Sequence, residues 1–156
     1  MKYKIKAGRH YANFTINRLW PFAFRNMNWY VRFSPECANA EVEIPGWNKL
    51  IGVSGLFIHK NSARFVWQPG DVGKVRIAAY VYDNGTRVIK EIGQVKVDRE
   101  IWMGIHLNSW YATFRVLGYP SAAIPVKIKW PLFLCFPYFG GQCTAPEDLT
   151  IEIKDV

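Results

Sequence analysis

Apolar and polar residues alternate with a period of two along most of the chain, and no window holds a helical period over three turns. Where the apolar positions are also β-branched or aromatic, that pattern predicts strands packed on one face. The clearest case is a hairpin over residues 75–92 with Asp83-Asn84-Gly85-Thr86 between its arms. Asn84-Gly85 suits a type I′ turn, whose two central residues both take positive φ. With that turn, Tyr82 falls opposite Arg87, Val81 opposite Val88 and Tyr80 opposite Ile89. Arg76, Tyr80, Tyr82, Arg87 and Glu91 then share one face, and Val and Ile dominate the other. Further strands are predicted over 3–6, 28–33, 49–59, 63–67, 101–107, 111–117, 126–130 and 149–154. Turn chemistry separates them at Pro45-Gly46, Pro69-Gly70-Asp71, Val97-Asp98-Arg99 and Gly118-Tyr119-Pro120-Ser121.

Roughly ten short strands with turns every 8 to 12 residues predict an all-β fold, a single antiparallel two-sheet sandwich of jelly-roll or concanavalin-like form. The 156 residues suffice for one domain with a substantial core and not for two, so residues 1–156 are read as one unit, with 7–27 as an irregular arm. Near the end, Phe136-Pro137-Tyr138-Phe139-Gly140-Gly141 and Ala145-Pro146-Glu147-Asp148 read as a rigid loop that locks the final strand in place.

Composition adds two facts. Seven Trp, eight Tyr and ten Phe give a high aromatic share, yet no stretch approaches the roughly 20 apolar residues that cross a bilayer, so no membrane partner is expected. The start, Met1-Lys2-Tyr3-Lys4-Ile5-Lys6, carries basic residues but no following apolar region of the secretory type; localisation stays undetermined. The net charge of +8 is uneven: no Asp or Glu precedes Glu36, and none lies between Ile101 and Ala145. Such stretches suit an anionic partner or a solvated strand surface; the cations stand singly between apolar residues, which favours the surface. The odd count of three cysteines, Cys37, Cys135 and Cys143, leaves at least one unpaired. A Cys135–Cys143 disulfide and free thiols both remain open.

Three blocks carry a resemblance. They are Lys49-Leu50-Ile51-Gly52 leading to His59-Lys60-Asn61-Ser62-Ala63-Arg64-Phe65-Val66-Trp67, Ala79-Tyr80-Val81-Tyr82-Asp83-Asn84-Gly85-Thr86-Arg87, and the Pro137–Gly141 and Ala145–Asp148 ending. In that order they resemble an uncharacterised family of small proteins of Bacteroidetes genomes and their phages. The resemblance implies a β-sandwich in bacterial or phage surface biology and supplies no activity. Glu147 stands where relatives carry His, so no role for that His transfers.

Chemistry is weighed residue by residue. His59, Ser62 and Arg64 invite a nucleophile reading, but no elbow turn or orienting acid accompanies them. A hairpin connection is expected instead, with Arg64 and Trp67 exposed on the next strand. Glu41 and Glu43 would share a strand face, as the paired carboxylates of a glycosidase require, and any exposed edge reads the same way. His10, His59 and His106 have no metal-ligand spacing, and no cofactor motif is present. The aromatic excess is the stronger signal, since sugar rings stack on Trp and Tyr. Arg64, Trp67, Tyr80, Tyr82, Arg87, Asn108 and Trp110 are the candidate ligand-binding residues.

The function expected from these signals is a non-catalytic binding or assembly module, a phage-type virion or surface accessory protein working as a homo-oligomer or against virion neighbours. The alternative is a lectin-like carbohydrate-binding protein, and the third reading a small glycan hydrolase. Nucleic acid is not expected as a partner, because no RNA-binding signature accompanies the aromatic strands.

Overall fold

The computed structural model describes residues 1–13, 24–39, 46–140 and 143–156. Among these, the chain runs β1 (Lys2–Ile5), β2 (Asn26–Phe33), α1 (Glu36–Asn39), β3 (Asn48–Ser54), β4 (Ser62–Pro69), β5 (Lys74–Asp83), β6 (Thr86–Lys96), β7 (Ile101–Leu107), β8 (Tyr111–Val116), β9 (Ala122–Pro125), β10 (Phe133–Cys135) and β11 (Leu149–Asp155). Two antiparallel sheets result, ordered β1-β11-β2-β7-β8-β9 and β10-β3-β4-β5-β6. The all-β two-sheet sandwich is thus the observed fold.

The predicted alternation explains the packing. Met27, Trp29, Val31 and Phe33 of β2 turn inward, as do Ala112, Phe114 and Val116 of β8. From the other sheet Ala63, Phe65 and Trp67 of β4 meet them. Phe65 and Phe114 cross edge to face at 5.1 Å between centroids, and Phe33 and Trp67 sit 5.6 Å apart. Fully burying such a side chain contributes about 1.5–3 kcal/mol, so this inter-sheet layer is the main source of stability.

The hairpin keeps the predicted register, Tyr82 with Arg87, Val81 with Val88 and Tyr80 with Ile89. Asn84 and Gly85 take φ of 48° and 86°, as a type I′ turn demands. Other expectations need correction. Residues 126–130 form no strand: Pro125 and Pro131 lack the N–H that would extend a ladder, and the pairing goes to β9 and β10 on either side. β3 stops at Ser54, where the Gly55 N–H turns back to the Asn61 carbonyl at 2.9 Å. Of the predicted arm, residues 26 and 27 belong to β2, and Gly8, His10 and Tyr11 are tied to the C-terminal region through Ala145, Phe139 and Tyr138. Residues 14–23 lie outside the described residues, as do Glu41 and Glu43.

Arg64 and Trp67, expected to be exposed, are 6% and 0% accessible. β4 is a central strand covered on both faces. Its inward face meets the opposite sheet, and its outward face carries a second, smaller cluster of Val66, Ala78 and Tyr80 with Trp47 and Tyr82 against it. The segment 136–140 continues from β10 along the edge of β3. It is held by the Lys49 N–H to the Tyr138 carbonyl at 2.8 Å, the reverse bond at 3.0 Å, and Gly140 N–H to Asn48 Oδ1 at 2.7 Å. Phe139 is buried against Trp67. The loop was expected to lock the final strand; the bonds observed run instead to β3 and, from the Phe139 N–H to the His10 carbonyl, to the N-terminal segment, and the loop also serves as a wall.

One irregularity positions the outward face. The β3–β4 register runs Ser54↔Ser62, Val53↔Ala63, Gly52↔Arg64 and then Lys49↔Val66. Leu50 and Ile51 together oppose Phe65, which is a β-bulge. Without the extra residue Lys49 would point into the core; with it, Lys49 joins Gly52 and Ser54 on the outward face. Gly52 itself leaves room for the side chain opposite, since a Cβ there would stand 2.3 Å from the Ala63 carbonyl oxygen and 2.8 Å from Arg64 Cγ. Gly52→Ala is therefore expected to destabilise the fold by about 1–3 kcal/mol through overpacking. Urea unfolding measures it, and a change within about 0.5 kcal/mol, the usual range of surface substitutions, would contradict this reading of the glycine.

Candidate functional site

The outward face of the second sheet gathers Lys49 from β3, Ser62 and Arg64 from β4, Tyr80 and Tyr82 from β5 and Arg87 from β6, all brought there by the alternation and registers just described. Beside them opens a cleft of about 500 Å³, walled by Phe133, Cys135, Phe136 and Tyr138 on one side and by Ile58 and His59 of the β3–β4 loop on the other. Lys49 and Arg64 line it, and no Asp or Glu does among the described residues.

Tyr80 is the hub. The Lys49 ammonium and the Arg64 guanidinium each lie 5.3 Å from its ring centroid, so two cations share one aromatic ring. Its hydroxyl donates to the Tyr82 hydroxyl at 3.3 Å, and His59 meets the Tyr82 ring edge-on at 5.6 Å. Arg64 Nε and Nη2 are buried, and among the described residues neither has a hydrogen-bond partner; the Ser62 hydroxyl is likewise unpartnered. An unpaired buried guanidinium is costly.

The same edge of guanidinium already holds carboxylates elsewhere in this protein. Arg76 reaches Glu91 with Nε at 3.0 Å and with Nη2, and Arg32 reaches Asp98 with the same two nitrogens. In Arg64 the same edge is buried without a partner among the described residues, in a side chain that also lines the cleft.

The surroundings shift the titrating groups. Burial, followed by the Arg64 and Arg87 charges, pulls the Lys49 amine down from 10.5 to about 8. Burial, then the hydrogen bond and charge of Tyr82, raises the Tyr80 hydroxyl above its ordinary value, against the lowering pull of Arg87 and Arg64.

Of the candidate residues, Arg64, Tyr80, Tyr82 and Arg87 come together here. Trp67 does not: it points into the inter-sheet core. Asn108 is a turn residue, its Oδ1 accepting the N–H groups of Trp110 and Tyr111 at 2.8 Å each. Trp110 is exposed on a different part of the surface, under Lys127. His59 and Ser62 form no nucleophile pair; His59 packs on Tyr82. Cys37 and Cys143 are free thiols, and Cys135 lies in the cleft wall. Among the described residues no three His, Cys, Asp or Glu side chains come close enough to hold a metal. Sequence reasoning missed Lys49, because only the bulge brings it to the outward face. It also missed Tyr11 and Tyr138, whose rings meet edge to face at 5.0 Å at the cleft rim.

No protein-family model matches the chain, and no curated protein matches it. Solved structures do. An alginate lyase from Alteromonas sp. 272 superposes with a TM-score of 0.55 at 8% identity, over 84% of this chain and 69% of its own. A polysaccharide lyase of family 18 gives 0.53 at 8%, over 84% and 69%. An alginate lyase from a Chlorella virus gives 0.55 at 13%, over 99% and 81%. These likenesses show a shared fold. They also correct the functional expectation: a non-catalytic phage module without enzymatic activity is not what these neighbours favour, since they are polysaccharide lyases by name.

Lys49 should titrate near pH 8 in the folded protein. Because its folded pKa lies below the unfolded 10.5, the unfolded chain binds more protons between those values, and stability should rise with pH across that window from this group. Lysine side-chain NMR reads the titration directly. Arg64→Ala should move it upward by removing a neighbouring cation and opening the site, and an unshifted value near 10.5 in the native protein would contradict the geometry.

Proposed function

We propose that the cleft binds an anionic polysaccharide built from uronic acids and cleaves it by β-elimination. The observation that carries the proposal is the buried Nε/Nη2 edge of Arg64, which among the described residues has no partner and stands in a cleft wall without Asp or Glu. It matches a carboxylate in geometry and charge. The neighbouring structures, alginate lyases by name, support the same reading.

The chemistry follows from the parts. A uronate carboxylate held by Arg64, with Lys49 and Arg87 adding positive potential, loses the charge that makes its α-proton hard to remove. The neutral Lys49 amine takes that proton from C5. The electrons of the C5–H bond form the C4–C5 double bond as the C4–O bond to the next sugar breaks. Tyr82, the more accessible phenol, gives its proton to the departing oxygen and regains one from solvent as Lys49 loses its own to solvent, while the Tyr80 hydroxyl holds Tyr82 in place. No water enters the reaction, which is why the carboxylate pair of a hydrolase is not required. Glycan recognition is common to this reading and to the lectin-like one. The low Lys49 pKa beside paired phenols favours turnover over binding alone.

Cleavage of polyuronates should appear as ultraviolet absorbance from the new double bond, with no increase on neutral glycans. Activity should rise with pH through about 8 as Lys49 loses its proton. Lys49→Ala and Tyr82→Phe should each lower kcat by about 10²- to 10⁴-fold, the range of a lost acid or base. Arg64→Lys, which keeps the charge and loses the fork, should raise KM. Tight binding of uronate polymer with no product from the wild-type protein would replace the lyase reading with the lectin-like one.

A further inference from the structure

Outside the cleft, one surface is built for the same chemistry at longer range. The segment between β9 and β10 alternates buried Val126, exposed Lys127, half-buried Ile128 and exposed Lys129, then presents Trp130 at 71% accessibility. Lys127 Nζ stands 4.2 Å from the ring centroid of Trp110, itself 60% exposed, and the Val126 N–H donates to the Trp110 carbonyl at 2.9 Å. Two aromatic rings and two ammonium groups therefore share one strip. It is acid-free in sequence from Ile101 to Ala145; Asp83, which approaches it, accepts the Lys127 N–H at 3.1 Å.

The strip is continuous with the cleft. Ile128 and the Lys129 carbonyl lie 3.6 Å from where a Cβ on Gly55 would stand, and Gly55 and Leu56 line the cleft mouth. Beyond Trp130 the chain runs directly into β10, whose Phe133 and Cys135 form the cleft wall. A chain leaving the cleft at Gly55 meets Lys129 and Trp130 first, then Lys127 and Trp110.

We propose that this strip is a second contact for the anionic polysaccharide, an extension that holds the polymer beyond the sugars in the cleft. It rests on the polyuronate reading of the cleft. Indole rings stack on sugar faces while the lysines, about 7 Å apart at extended spacing, pair with carboxylates along the polymer. The strip adds affinity for long chains by multivalency and leaves the chemical step untouched.

The test uses the full chain with Tyr82→Phe, so that polymer persists, and compares it with a version that also carries Lys127→Ala, Lys129→Ala and Trp130→Ala. Binding is measured to a long polyuronate by retardation in polymer-containing gels, to a uronate trisaccharide by calorimetry, and to phosphatidylserine vesicles by co-sedimentation. The expected result is at least about 10-fold weaker polymer binding and trisaccharide binding unchanged within about twofold. Polymer binding that resists the substitutions, with trisaccharide binding intact, would overturn the strip and leave the cleft reading standing. Loss of vesicle binding alone would assign the surface to membranes and overturn it too. Absent trisaccharide binding with polymer binding that still depends on these residues would sustain the strip and overturn the cleft.

Discussion

The fold's second sheet is organised around one buried cation. Arg64 lies across the central strands because Gly52 opposite has no side chain, and its guanidinium keeps a carboxylate-sized edge unpartnered among the described residues. Removing such a charge from water costs several kcal/mol in real proteins. Here the Tyr80 ring offsets part of that cost, and the inter-sheet layer of Phe33, Phe65, Trp67 and Phe114 supplies the stability that tolerates the rest.

Other features follow from that cation. Lys49 is brought to the same face by the β3 bulge, and the Arg64 charge helps to lower its pKa. Tyr80 lies within cation–π distance of both cations, and its hydroxyl bond to Tyr82 sets a second phenol nearby. The 136–140 strap is joined to Lys49 by paired backbone bonds, so the wall of the cleft and the position of Lys49 are fixed together.

Much of this was legible in the sequence where one local rule governs. Asn84-Gly85 specified a turn and hence a register, and Tyr80, Tyr82 and Arg87 fell on one face as that register requires. The 101–107 strand matched its alternation without adjustment. What was not legible depended on tertiary context. A bulge is one extra residue in a run of apolar side chains, so nothing in Leu50-Ile51 announces that Lys49 changes face. Arg64 and Trp67 read as surface residues because a charged and an amphipathic side chain usually are; only burial of β4 on both faces reverses this. The final loop was read as architecture, and it is, but the backbone that locks β3 also lines the cleft.

The central claim is that Arg64 awaits a carboxylate. Calorimetric titration with a uronate oligosaccharide and with its carboxyl-reduced, otherwise identical counterpart tests this most directly. A charge-assisted bidentate pair predicts roughly 10- to 100-fold tighter binding of the acidic form, a difference of about 1.5–3 kcal/mol. Equal affinity for the two would contradict the account.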